Sequence, residues 1–173
     1  MIRTTLTALA AFSLAACGQA IQQPGEDDGQ VGTPSIGAGG RQVTLSEAEQ
    51  RQLEQLIAQY LDYGAQHRAA GFTRSAGIND AVAPLQPRAH HDYTVNLRAG
   101  VSYRIVGACD NECNDLDLEV RDSAGTVVAS DTAPTDFPFV NLRPAADAAY
   151  SVRIILKTCT VAPCYVGARV LQQ

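Results

Sequence analysis

Between Asp110 and Asp117 the chain reads Asp-Asn-Glu-Cys-Asn-Asp-Leu-Asp, six oxygen-bearing side chains within eight residues. Hard oxygen ligands crowded into a turn suit Ca²⁺, which takes six to eight of them at about 2.3–2.6 Å. The candidate ligands are Asp110, Glu112, Asn114, Asp115 and Asp117, joined by Asp131 and Asp136 if their loop lies at the same end of the fold. The spacing is not that of an EF-hand. Aligned on Asp110, the invariant glycine position falls on Asp115 and the bidentate glutamate position on Arg121. The same residues also serve simply as turn formers that stay hydrated, with Asp115 and Asp117 pointing outward from a strand. Calcium is therefore a possible ligand and no cofactor is required.

The chain has five cysteines, and four of them, Cys109, Cys113, Cys159 and Cys164, flank or enter loops. An even number in an exported protein reads as two disulfides. A four-cysteine zinc site would use C-x2-C knuckles, whereas the spacings here are C-x3-C and C-x4-C, and a thioredoxin-like redox pair would need C-x-x-C. Four cysteines allow three connectivities. Sequence proximity favours Cys109–Cys113 with Cys159–Cys164, rings that constrain the unfolded chain by about 2 kcal/mol each, against about 4 for a link between the two clusters.

Other chemistry is thinly represented. His90 and His91 are neighbours on a strand, so they face opposite sides and do not chelate together, and His67 is distant in sequence. No G-x-S-x-G elbow, H-E-x-x-H or P-loop is present. A Cys-His nucleophile would need a reduced thiol, and a carboxylate pair for glycoside hydrolysis would need a cleft to hold it. The formal charge of −5, without a Lys/Arg cluster, argues against nucleic acid and against electrostatic adhesion to anionic lipid.

The fifth cysteine sets the address. Arg3 is a short positive region, and Leu6 to Ala16 is an apolar or small run too short to span a bilayer, the pattern of a signal peptide over residues 1–16. It ends in Leu14-Ala15-Ala16-Cys17, which resembles a bacterial lipobox and makes Cys17 the lipidated N-terminus of an envelope lipoprotein. Gly18 after the cysteine resembles an outer-membrane signal. Cleavage after Ala20 as an ordinary secretory signal is the competing reading.

These residues must be positioned by a scaffold, and the chain reads as follows. Residues 17–43, rich in Gly, Gln and Pro, form a flexible tether of about 25–30 Å. Residues 44–71 form an amphipathic helix: Ser46 and Glu49 make a capping box, with Thr44 and Glu47 as a rival frame, and Leu53, Leu56, Ile57, Tyr60 and Leu61 make one apolar stripe. The stripe packs on the protein's own sheet or on a partner. Residues 72–89, with Gly77, Pro84 and Pro87, read as an irregular linker.

From residue 90 the period changes from 3.6 to 2, and seven short strands separated by turns fill 90–173. Pro138 makes the strand over 137–142 an edge strand. The pattern predicts a mainly β chain, an antiparallel β-sandwich of jelly-roll-like form preceded by one amphipathic α-helix.

The phrases His91-Asp92-Tyr93-Thr94-Val95 with Arg98-Ala99-Gly100, then Asp115-Leu116-Asp117-Leu118, Asp122 to Gly125 and Tyr150-Ser151-Val152 resemble the bacterial pre-peptidase C-terminal domain over residues 91–171, about half the chain. The chain departs from that family where Asp147-Ala148-Ala149 replaces the glycine expected before the tyrosine, and in its two cysteine loops. The resemblance implies a jelly-roll-like sandwich that accompanies secreted proteases or binds extracellular polymers. With the absent catalytic motifs, it makes a non-enzymatic envelope lipoprotein the expectation. Such a protein binds an extracytoplasmic protein or polysaccharide, or is a structural accessory. A divergent secreted hydrolase, or a protease-associated inhibitor or chaperone, is the alternative.

Overall fold

A computed structural model describes residues 40–173, so Cys17, the signal segment and all but the last residues of the tether lie outside the described residues. The strands are β1 Arg41–Gln42, β2 Thr73–Arg74, β3 Ala81–Leu85, β4 His90–Leu97, β5 Tyr103–Cys109, β6 Cys113–Arg121, β7 Val127–Asp131, β8 Phe139–Leu142, β9 Ala148–Cys159, β10 Val161–Ala162 and β11 Cys164–Gln172, with one helix, α1, at Glu47–Arg68. They build an antiparallel β-sandwich preceded by a helix, as the period change predicts. One sheet has the order β2-β11-β5-β8, with β3 beside β2 on the same edge of β11; the other has the order β4-β9-β6-β7.

The inter-sheet core is branched aliphatic. Leu116, Leu118 and Val120 on β6 and Val152, Ile154 and Leu156 on β9 are all fully buried, and face Ile105, Val166, Ala168 and Val170 from the other sheet. A second core lies on the outer face of the β2-β11-β5-β8 sheet, where Ile57 and Leu61 of α1 pack on Val106, Ala108, Tyr165 and Leu171. The helix stripe thus covers the protein's own sheet. The approach is close because position 167 is glycine: a Cβ there would lie 2.5 Å from Ile57 Cγ2 and 2.9 Å from the Ala81 carbonyl oxygen.

Helix α1 starts as the first capping frame predicts. Glu49 N–H donates to Ser46 Oγ, and Ser46 N–H donates to the Glu49 carboxylate at 2.7 Å. Its ordered length, Glu47–Arg68, is shorter than the 44–71 expected.

Three further features differ from the sequence reading. Residues 72–89 are no linker, since β2 and β3 both pair with β11. Two-residue strands leave no periodic trace, and Pro84 masks β3, which tolerates proline because it lies at the sheet edge. The sandwich therefore begins near residue 73 rather than 90. The tether also ends early: Arg41–Gln42 pairs in parallel with β10, and Gly40, at φ +71°, passes so close to the Cys159 carbonyl that no Cβ fits. Finally, the outward half of the alternation expected past residue 90 is buried on β5 and β11, because α1 covers that face.

Candidate functional site

The four loop cysteines form Cys109–Cys113 and Cys159–Cys164, the local pairing. Cys109 ends β5 and Cys113 begins β6; Cys159 ends β9 and Cys164 begins β11. Each cystine therefore joins one sheet to the other, and the two meet at the same end, with Cys113 opposite Cys159 in register. Two such cystines mark an oxidising, extracytoplasmic compartment. No helix among the described residues is long and apolar enough to cross a membrane.

Asp110 organises the first cystine loop. Its side chain is buried, at 5% exposure, and it accepts the Tyr165 N–H at 2.6 Å and the Glu112 N–H at 3.2 Å. Burial pushes its pKa up against the pull of those two amides. Glu112 is tied to the second loop: its carbonyl accepts the Thr160 N–H at 2.8 Å, and its carboxylate accepts the Thr160 hydroxyl.

The other candidate calcium ligands diverge. Asn114 is exposed, while Asp115 and Asp117 lie on β6. Asp117 is buried against Lys157 Nζ at 3.2 Å, and Asp115 has one buried, unpartnered oxygen, with burial foremost and then Asp117 pushing its pKa up. Asp131 accepts the Ala133 and Phe139 amides. Among the described residues no three His, Cys, Asp or Glu side chains gather as a metal site.

What the cystine end does form is a cleft of about 610 Å³, inside the size range of small-ligand pockets. Its floor is the Cys109–Cys113 loop with Asn111 and Asn114; one wall is Tyr60 and Tyr63 of α1, and the other is Asp136 and Phe137. Tyr60 meets the Phe137 ring edge-on at 5.8 Å, and Tyr63 meets it at 5.7 Å and 57°. The two tyrosines, each inclined to Phe137, make an aromatic corner with it. The Tyr60 hydroxyl donates to Asn111 Oδ1 at 2.6 Å, locking helix to loop, whereas Tyr63 remains 53% exposed with the His67 ring against it at 4.1 Å and 39°. The Asp136 carboxylate makes no hydrogen bond or ion pair among the described residues.

Sequence reasoning reached the acidic half of this cleft and missed Tyr63 and Phe137. Tyr63 lies off the core stripe, and Phe137 reads as an ordinary strand residue. The available signal was Tyr60, Tyr63 and His67 at i, i+3 and i+7, a second line of rings along one helix flank.

A second cleft, of about 660 Å³, lies between residues 76–82 and β4. Its acidic group is already neutralised, because Asp80 is held by Arg169 at 2.8 Å and by Arg74 at 2.5 Å. Tyr93 lines it with a buried, unpartnered hydroxyl whose pKa is pushed well up by burial and by the Asp80 charge. The histidines do not assemble: His91 lines this cleft, while His90 sits 3.8 Å from Asp92 on the other face of β4.

No model of a known protein family matches the chain, and no curated protein matches it. Among solved structures, an arabinose-bound α-L-arabinofuranosidase is similar over 60% of this chain at 12% identity and a TM-score of 0.29. The chain spans 23% of that enzyme's length, and a likeness so loose carries no argument about activity.

Proposed function

We propose that this chain is a non-enzymatic cell-envelope lipoprotein, held by lipid on Cys17, that binds an extracytoplasmic protein or polymer through the cleft at its cystine end. The observation that carries the reading is the cleft itself. An exposed aromatic corner and hydrogen-bonding side chains meet over a floor fixed by a disulfide and by the Tyr60–Asn111 bond. Such a site is preformed, so little ordering entropy is lost when a partner docks.

Several features favour binding over catalysis. The cysteines of the cleft are oxidised and offer no thiolate. Asp110 accepts two backbone amides and so is engaged in holding the loop rather than free to shuttle protons. The phrases shared with pre-peptidase C-terminal domains, which accompany secreted proteases or bind extracellular polymers, point the same way. The lipobox supplies the anchor, in the outer membrane by the Gly18 signal, and the Gly/Gln/Pro-rich stretch after Cys17 supplies reach.

Two measurements test this. Labelled palmitate should enter the wild-type chain and not Cys17→Ser; equal labelling would remove the anchor. A photo-crosslinking residue at position 63, in the full chain in intact envelopes, should capture a defined partner that the same residue at the distant, exposed position 128 does not. Identical patterns from both positions would refute the cleft as the binding site.

A further inference from the structure

We infer that the cleft at the cystine end selects a cationic alkylammonium group, presented on a slender side chain such as lysine by a protein partner. This inference deepens the binding reading above and rests on it. The first reason is charge. Nine residues line the cleft, two of them the carboxylates Asp110 and Asp136, and none is Lys, Arg or His. Asp110 has its charge dispersed over two amides, whereas Asp136 is an exposed lining residue whose carboxylate has no partner among the described residues. An anionic ligand would meet two carboxylates and no lining cation, with asparagine amides, tyrosine hydroxyls and the His67 ring beside Tyr63 as its only support.

The second reason is the aromatic corner. Ring faces carry negative potential and attract a cation within about 6 Å of their centroids. Tyr60 and Tyr63 both line the cleft, each within 5.8 Å of Phe137 and inclined to it by 57–63°, so the three rings do not lie in one plane. Such a cluster offers a compact cation ring surface of more than one inclination at the cleft wall. A flat sugar ring would instead want one broad, unobstructed platform.

The third reason is the complement of hydrogen-bond partners. An ammonium is all donor and has no acceptor. The Asp136 carboxylate and the Asn114 amide oxygen accept no hydrogen bond among the described residues, while Asn111 Oδ1 accepts one from Tyr60. The open shape of the cleft admits the methylene stem of a long side chain, which packs on the rings while its charged head stays near the rim.

The test uses the full, oxidised chain and three probes: Nα-acetyl-lysine methylamide, its Nε-acetylated form of the same backbone without charge, and methyl β-glucoside. Each is titrated while the ring resonances of Tyr63 and Phe137 and the side-chain amide of Asn114 are followed by NMR. The cationic probe is expected to shift these signals to saturation, with the acetylated probe and the glucoside each at least about 5-fold weaker, within the range that cation–π contacts support.

Tyr63→Ala and Asp136→Asn both alter exposed positions and preserve the core; each should weaken the cationic probe by about 3-fold or more. Equal binding of the acetylated probe, tighter binding of the glucoside, no perturbation by any probe, or variants within twofold of wild type would each overturn the inference. A partner captured at position 63 together with an inert lysine probe leaves the binding reading standing and sinks only the ammonium selectivity. Failure of both sinks both.

Discussion

Arg169 and Arg153 both grip an aspartate with a two-pronged guanidinium, and both sit in the middle of long strands, yet they occupy different environments. Arg169, on β11, is 4% exposed beneath α1, where it holds Asp80 at 2.8–3.2 Å and also reaches Asp62 of the helix. Arg153, on β9, holds Asp92 with two 2.7 Å bonds on the outer face of the β4-β9-β6-β7 sheet, where the two side chains are 28% and 38% exposed. One sheet is covered on both faces and the other on one. The covered sheet ties a helix to itself through a guanidinium that water does not reach, whereas the Arg153–Asp92 pair on the open sheet stays in contact with water. The contrast teaches where substitutions will be felt, because the same chemistry costs more to disturb where nothing can replace it.

The largest effect should come from adding bulk to the covered face. Gly167→Val would drive side-chain atoms into Ile57 and the Ala81 carbonyl, and it should cost about 3 kcal/mol or more and loosen α1. Thr94→Val, on the open face of β4, should change stability by less than about 0.5 kcal/mol. Denaturant unfolding of the two variants checks this, and comparable losses would abolish the distinction between the faces. Next comes the ion network. Arg169→Met should cost about 2–4 kcal/mol, since it leaves Asp80 half-buried with only Arg74 and cuts the tie to Asp62. Arg153→Met should stay under about 1 kcal/mol. Reversed magnitudes would show that helix cover does not govern the cost.

The same contrast explains what could be read in advance. Strands of the open sheet carry the alternation that half-buried strands must have: Leu116, Leu118 and Val120 inward against Asp117, Glu119 and Arg121 outward. On the covered sheet that signal is diluted, because Val106 and Ala108 are as buried as Ile105 and Cys109. Strand β3 was invisible for a further reason: its pairing is set by β11, some eighty residues away, and its own Pro84 argues against a strand. The acidic loop was legible as a site because turn chemistry and cysteine spacing are local. Its aromatic half was not, since Tyr63 and Phe137 meet only once α1 has docked.

An intermediate effect distinguishes the cystines from both ion networks. Each closes a ring of four or five residues, so replacing either pair with alanine should cost about 2 kcal/mol, falling between the Arg169 and Arg153 variants. Since each cystine crosses from the covered to the open sheet, the two costs should match. A much larger loss for Cys159–Cys164, read by thermal unfolding, would instead implicate the β1–β10 pairing that its loop supports.

The smallest effect is one of pH, and it belongs to the open sheet alone. The hydrogen bonds from Arg153 hold the Asp92 carboxyl below its usual value of 3.8. A carboxyl with a lowered folded pKa stabilises the fold when ionised, so its contribution is complete above the unfolded value and fades as the pH falls through the folded one. Wild type should therefore exceed Asp92→Asn by a few tenths of a kcal/mol near neutrality, since the pair is exposed and screened, and the two should converge in strong acid. Added salt should shrink the neutral-pH difference, whereas the loss caused by Arg169→Met, made beneath the helix, should resist salt. A difference between wild type and Asp92→Asn that survives acid and 1 M salt unchanged would mean that Asp92 acts through packing rather than charge, and the open face would then be less solvated than its exposed aspartate implies.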